Sequence, residues 1–332
     1  MKKGKKKKIL CGIVTTLVLS VGIIAGSSFY MLDYSLGYPV PDRKTAEVQC
    51  ERIRRECPWT IAWMDSVYRC HAVKDTFIVM PSGYKAHALY LFAPKPTIKT
   101  AVVVHGYKMR AEGMLHIAYL YNHDMGYNVL LPDLYGHGES EGEHIQMGWN
   151  DRWDVIRWTE VADEIFAGQR VSTHDKMQTA HHTEQVLHGI SMGAATVMAV
   201  SGEKTPDYVK FFVEDCGYSS VWDEFTAQLK AQFGLPTFPL MNTTSALCDI
   251  KYGWSFTEAQ QLEQVKKSTK PMLFIHGDKD DFVPYCMLLP LYNAKRHGRK
   301  DLFIASGSVH AMAYSDHHNE YTSKVRDFVE HQ

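Results

Sequence analysis

Gln185-Val186-Leu187-His188-Gly189-Ile190-Ser191-Met192-Gly193-Ala194-Ala195-Thr196-Val197-Met198 is the stretch on which the reading turns. Gln185 to Leu187 reads as a short buried strand, and from about Met192 the residues favour a helix. Between them Gly189-Ile190-Ser191-Met192-Gly193 matches G-x-S-x-G. The pentapeptide alone is weak, because small residues recur by chance. In a strand–turn–helix context it predicts a nucleophile elbow. The glycines flank the serine because the turn is too tight for a Cβ at those points. The serine is then held strained at the strand end, its hydroxyl exposed and a helix N-terminus behind it.

A serine nucleophile needs a base, and the base needs an orienting carboxylate. In a strand-to-helix elbow of this kind the partners follow in the order serine, acid, histidine. Downstream, an apolar strand at 272–275 runs into His276-Gly277-Asp278-Lys279-Asp280-Asp281-Phe282-Val283-Pro284, and a strand at 302–304 is followed by Ser306-Gly307-Ser308-Val309-His310-Ala311. Both loops leave carboxyl ends of strands, the edge where open α/β sheets do their chemistry. The expected set is Ser191, His310 and Asp280, with Asp278 and Asp281 as turn or surface residues. His276 and His188 read as structural residues at strand ends. The backbone N–H groups of Tyr107 and Met192 are the expected oxyanion donors. Gly106 would let the backbone approach a substrate, and His105 reads as a loop organiser.

Outward from the elbow, strand and helix patterns alternate. Strands are expected at 101–104, 127–131, 185–187, 209–213, 272–275 and 302–304, and two short runs around Pro81-Ser82-Gly83 form a hairpin. Helices are expected at 110–124, 151–168, from 192, and around 319–330. This pattern predicts an α/β fold: a mainly parallel sheet covered on both faces. Residues 170–184 and 219–268 break the alternation. The first reads as a polar surface excursion, the second as a cap over the site, carrying Phe233, Leu235, Phe238, Leu240 and Met241.

Of 332 residues 45% are apolar, enough for one large domain, and the formal net charge of -1 excludes nothing-but-charge recognition of nucleic acid. One asymmetry stands out. Six of the first eight residues are Lys, and 24 uncharged residues follow from Ile9 to Leu32. Such a run spans a bilayer at about 1.5 Å per residue, and the Lys cluster orients it with the N-terminus in the cytoplasm. The expected organisation is a membrane anchor or signal segment at 1–32, a helical lead-in with Pro39 and Pro41 as linker at 33–75, and a catalytic domain at 76–332 with its cap at about 219–268. Cleavage near Ala25-Gly26-Ser27 and secretion is the alternative to single-pass anchoring. Every expected catalytic residue lies beyond residue 32, so that segment is expected to be dispensable for the chemistry. Beyond Cys11 six cysteines remain, and free thiols and disulfides are equally open. Their spacing has no CxxC, there is no H-E-x-x-H, and no metal or cofactor is expected.

His105-Gly106-Tyr107, Asp133 to Ser140, Gly148-Trp149 before Asp151 and Asp154, Gly189 to Gly193, Asp215-Cys216-Gly217-Tyr218, His276 to Pro284 and His310 together carry a likeness. Over roughly residues 70–330 the chain resembles the α/β-hydrolase superfamily, particularly its exported, membrane-anchored bacterial serine aminopeptidase-like members. The resemblance implies a Ser191–His310–Asp280 triad and hydrolysis through an acyl-enzyme. It also implies that the Asp133 to Ser140 loop is structural. With no acidic pair to bind a substrate amine, a small carboxylic ester is the expected substrate. An amide or short peptide is the alternative, and a non-catalytic surface interaction module a more distant one.

Overall fold

The computed structural model describes residues 2–37, 45–168, 170–173, 176–179 and 181–331. The Pro39 and Pro41 linker lies outside them. An eight-stranded sheet has the order β1-β2-β4-β3-β7-β8-β9-β10. Its strands are β1 (Lys74–Val79), β2 (Lys85–Leu91), β3 (Lys99–Val104), β4 (Asn128–Pro132), β7 (Glu184–Ile190), β8 (Val209–Asp215), β9 (Met272–Gly277) and β10 (Lys300–Ala305). The hairpin strands β1 and β2 pair antiparallel, as do β2 and β4, and all pairs from β4 to β10 are parallel. The polar excursion contains a small separate hairpin, β5 (Arg170–Thr173) and β6 (Lys176–Thr179).

Alternation along the strands divides the core in two. On β3 Val102 and Val104 face one layer, Ala101 and Val103 the other; on β9 Met272 and Phe274 oppose Leu273 and Ile275. Both layers are buried, which is why these strands read as continuous apolar runs. One layer is built from α5 (Asp151–Phe166), α6 (Met192–Ser201), α8 (Leu240–Tyr252), α9 (Gln261–Lys267) and α10 (Leu288–Ala294). The other holds α2 (Ala46–Glu56), α3 (Ile61–Arg69), α4 (Leu115–Tyr119), α11 (Ala313–Asp316) and α12 (His318–Glu330). α7 (Val221–Gln228) runs on through a wide helical turn, Leu229–Phe233, and with α8 lies in the excursion between β8 and β9.

Two elements differ from expectation. Residues 110–124 form three short turns rather than one helix: Ala111–Met114, α4 and Leu120–Asp124. Nearly every residue there is buried, so no polar face enforces a single helical register. The N-terminal helix α1 (Lys2–Leu36) runs on past residue 32, and its last turns join the domain core through Leu32 and Leu36. Residues 7–36 of α1 are long and apolar enough to cross a membrane. All seven cysteines are free thiols.

Candidate active site

Ser191 sits between β7 and α6 with φ 59° and ψ -118°, left-handed strain that a non-glycine residue accepts only where its surroundings impose it. The surroundings do. A Cβ on Gly189 would lie 2.1 Å from the Gly193 carbonyl oxygen, and one on Gly193 would lie 2.1 Å from that of Val104. The elbow is therefore packed directly onto the end of β3.

Ser191, His310 and Asp280 come together in one hydrogen-bonded chain. The His310 Nε2 lies 2.9 Å from Ser191 Oγ, and its Nδ1 lies 2.7 Å from Asp280 Oδ2. With Nδ1–H donating to the carboxylate, Nε2 is free to accept the serine proton. The Asp280 side chain is wholly buried. Its Oδ1 accepts the backbone N–H groups of Phe282 and Val283, each at 3.0 Å. Burial alone would push this carboxyl up, but hydrogen bonds and charge from His276 and His310 outweigh it and hold the group below the usual carboxylate range. The competing acids lie elsewhere. Asp278 accepts from the Gly307 N–H at 2.7 Å and ties two loops together, while Asp281 is exposed.

His276 is closer to the chemistry than a strand-end residue need be. Its Nε2–H points at both the Val283 carbonyl, 3.0 Å away, and Asp280 Oδ2, 3.3 Å away. Burial works against its charged form, yet the carboxylates of Asp280 and Glu214 raise it overall. His188 is remote. Tyr121 donates to its Nδ1, and its Nε2–H can donate to Tyr321, whose hydroxyl donates to Asp215. Burial pushes His188 down to about 3, so it is neutral.

The turn after β3 lies against the serine: a Cβ on Gly106 would be 3.5 Å from Ser191 Cβ. This brings Tyr107 beside the elbow. Met192 opens α6, so its N–H has no carbonyl four residues back to bond. His105 donates through Nδ1 to the Gly106 carbonyl and accepts the Leu134 N–H at 3.0 Å, a loop organiser as read. Asp133 accepts from Ala111 and Glu139 N–H and from His87, stitching the Asp133–Ser140 loop to its neighbours.

A cavity of about 290 Å³ opens at Ser191 and Met192. Phe225, Leu229, Leu240 and Met241 give it an apolar wall on one side and Phe282 closes another. Two contributions had no sequence signal. Glu224 lines the cavity although buried; it takes a hydrogen bond from Gln228, and burial pushes its carboxyl up to about 8. Met31, Tyr34 and Ser35, from the end of α1, also line it. Of the segment 1–32, Met31 thus forms part of the pocket wall, a contact the expected division at residue 32 does not include.

Residues 95–231 match the family described as serine aminopeptidase, S33. The chain is a serine hydrolase of the α/β-hydrolase fold. An uncharacterized Bacillus subtilis protein, YqkD, is 28% identical over 327 residues, covering 98% of this chain and 97% of its own. Among solved structures, the Pyrococcus furiosus esterase Pf2001 superposes with a TM-score of 0.60 at 19% identity, covering 78% of this hydrolase and 90% of that protein. The Pyrococcus horikoshii acylaminoacyl peptidase does so with a TM-score of 0.55 at 14% identity, over 79% of this hydrolase and 43% of the peptidase.

Proposed function

We propose that this hydrolase cleaves small carboxylic esters through an acyl-enzyme, with Ser191 as nucleophile, His310 as base and Asp280 as the carboxylate that orients it. The observation that carries the reading is the unbroken chain from Ser191 Oγ through His310 to Asp280, at 2.9 and 2.7 Å. In the first half-reaction Ser191 Oγ attacks the acyl carbon while His310 Nε2 takes its proton. The N–H groups of Tyr107 and Met192 hold the oxyanion. As the tetrahedral intermediate collapses, the leaving alcohol receives the proton from His310. Water then attacks the ester carbonyl of the acyl-enzyme with His310 again as base, releasing the acid and restoring Ser191.

The apolar lining favours an acyl group over a sugar or phosphate. Glu224 is the one carboxyl facing that lining among the described residues, and burial holds it largely neutral at neutral pH. It offers a hydrogen bond rather than a counter-charge, which supports esters over peptides bearing a free amine. We also read α1 as a single membrane span, its Lys-rich start in the cytoplasm and everything after it, with the catalytic domain at 76–332, outside, and residues 219–268 as the cap. Labelling by a fluorophosphonate, followed by a panel of esters and aminoacyl amides, tests the reaction. No labelling of the wild-type chain, or labelling that persists in Ser191→Ala, refutes it.

A further inference from the structure

α1 changes character part-way along. From Lys7 to Ile23 every side chain is exposed, apolar residues included; Ile9 is 58% and Ile23 68% accessible. Beyond that, Ile24, Ser27, Ser28, Met31, Leu32, Ser35 and Leu36 become covered, a stripe at helical spacing. The covering element is chiefly α8. Ser28 Oγ meets Thr243 Oγ1 at 2.6 Å in the first turn of α8. Farther along, Tyr34 donates to Gln232 Oε1 at 2.6 Å and its ring stands edge-on to Phe233 at 5.4 Å. The helix end is fixed by the Ile145 N–H, which donates to the Leu36 carbonyl at 2.8 Å.

Length then sets depth. The 20 residues from Ile9 to Ser28 span about 30 Å, the thickness of the hydrocarbon layer. Tyr30 and Tyr34 fall in the next two turns, where aromatic side chains sit at the headgroup level. Met31, Tyr34 and Ser35, which line the cavity, are at that same level. Leu235 and Phe238, 43% and 75% exposed, are apolar side chains left uncovered in the connection between Phe233, which packs on Tyr34, and the α8 turn that meets Ser28. The same helix reaches the oxyanion side: Tyr107 donates its hydroxyl to the Ser35 carbonyl at 2.7 Å.

We propose that the acyl pocket is shared between the catalytic domain and the membrane helix, opens at the bilayer surface, and takes esters whose acyl chain resides in the membrane. The proposal rests on the ester-hydrolase reading above. About 290 Å³ is at the low end for a small-molecule pocket, so it admits the reacting end of a chain while the remainder stays among lipids. Met31 is the specificity-determining side chain, because it faces the cavity from the helix that fixes its depth.

The test uses the full chain reconstituted in phosphatidylcholine vesicles, with p-nitrophenyl acetate, octanoate and palmitate. Met31→Trp should lower the octanoate-to-acetate ratio of kcat/KM at least about tenfold, since the indole fills space the chain needs. Met31→Ala should leave that ratio at or above the wild-type value and shift the optimum to longer chains, which keeps the idea testable if the tryptophan variant folds poorly. Ile23→Trp, with the same bulk on the exposed part of the helix, should change neither ratio nor rate. Palmitate should be cleaved at least about tenfold faster from vesicles than from an albumin complex. If both Met31 variants keep the wild-type ratio, or palmitate is cleaved equally from either source, the shared pocket at the bilayer is wrong while ester hydrolysis stands. A wild-type chain that cleaves none of the esters overturns the underlying reading instead.

Discussion

Glu224→Gln isolates one buried acid with little change of shape. Glu224 Oε1 accepts from Gln228 at 3.0 Å, and Oε2 is buried with no partner among the described residues. Burial is the largest influence on the group and raises its carboxyl from 4.5 to about 8. An acid raised in the folded state contributes stability that is complete below its unfolded value and is lost as pH climbs through the folded one. Between those limits the loss integrates to about 1 kcal/mol at pH 5 and about 3 kcal/mol at pH 7. Glutamine keeps the side chain's length and does not titrate, so it escapes this loss. The variant's advantage should therefore grow by about 2.5 kcal/mol from pH 5 to pH 7, or roughly 3–4 °C in Tm for a chain of this size. Thermal unfolding of both full-length chains in one detergent, at half-unit steps from about pH 5 to 8, measures it. A difference in Tm that stays constant across that range would mean that Glu224 is already ionised in the folded protein. The account of Glu224 as an uncharged part of the acyl pocket wall would then fail.

Ser191→Ala should lower kcat on any ester by at least about a thousandfold with Tm unchanged within a few degrees, read by ester turnover beside thermal unfolding. Asp280→Asn should cost about 10⁴ in kcat, because the carboxamide presents N–H groups either to the two histidines or to the Phe282 and Val283 amides. If Asp278→Asn is the more damaging of the two in the same assay, the acid is misassigned. Leu36→Ala, at a fully buried position where α1 meets the core, should destabilise by about 3 kcal/mol in denaturant unfolding. A loss under about 0.5 kcal/mol would show that the helix end is only laid against the domain.

The parts of the site legible in sequence are those whose chemistry is local. Gly189 and Gly193 announce the elbow because no side chain fits where they touch backbone. Asp280 and His310 were recognisable because each follows a strand in a short loop, and parallel strands bring such loops to one edge. The cavity wall was not legible. Glu224 lies in an ordinary amphipathic helix, and nothing in Val221–Gln228 marks the face that turns toward Ser191. Met31 looked like one apolar residue among many in a membrane-length run, because hydropathy records composition and not which turns another helix covers. His276 gave a histidine at a strand end, but its approach to Asp280 depends on the turn back to Val283. Residues 110–124 misled for the opposite reason. Their apolar spacing is helical, yet burial on all sides leaves the backbone free to break into short turns.

Two carboxyls close to this cavity are driven in opposite directions by their neighbours, and the contrast argues for their separate roles. Asp280 and Glu224 are both buried, so desolvation penalises the charge of each. Asp280 answers that penalty with two backbone N–H donors on one oxygen and two imidazoles on the other, and stays below the usual range. Glu224 has a single neutral amide and an apolar lining, and the charge of Asp280 itself pushes it farther up. A carboxylate that must steady an imidazolium during proton transfer has to be ionised beforehand, and Asp280 meets that condition where Glu224 does not. An uncharged Glu224 in turn adds no negative charge to the cavity beside the acyl group, and the Lys108 ammonium on the lining lies over the Tyr107 ring at 4.9 Å. A neutral Glu224 lowers the cost of admitting an apolar chain, since no carboxylate must shed its water to let it in.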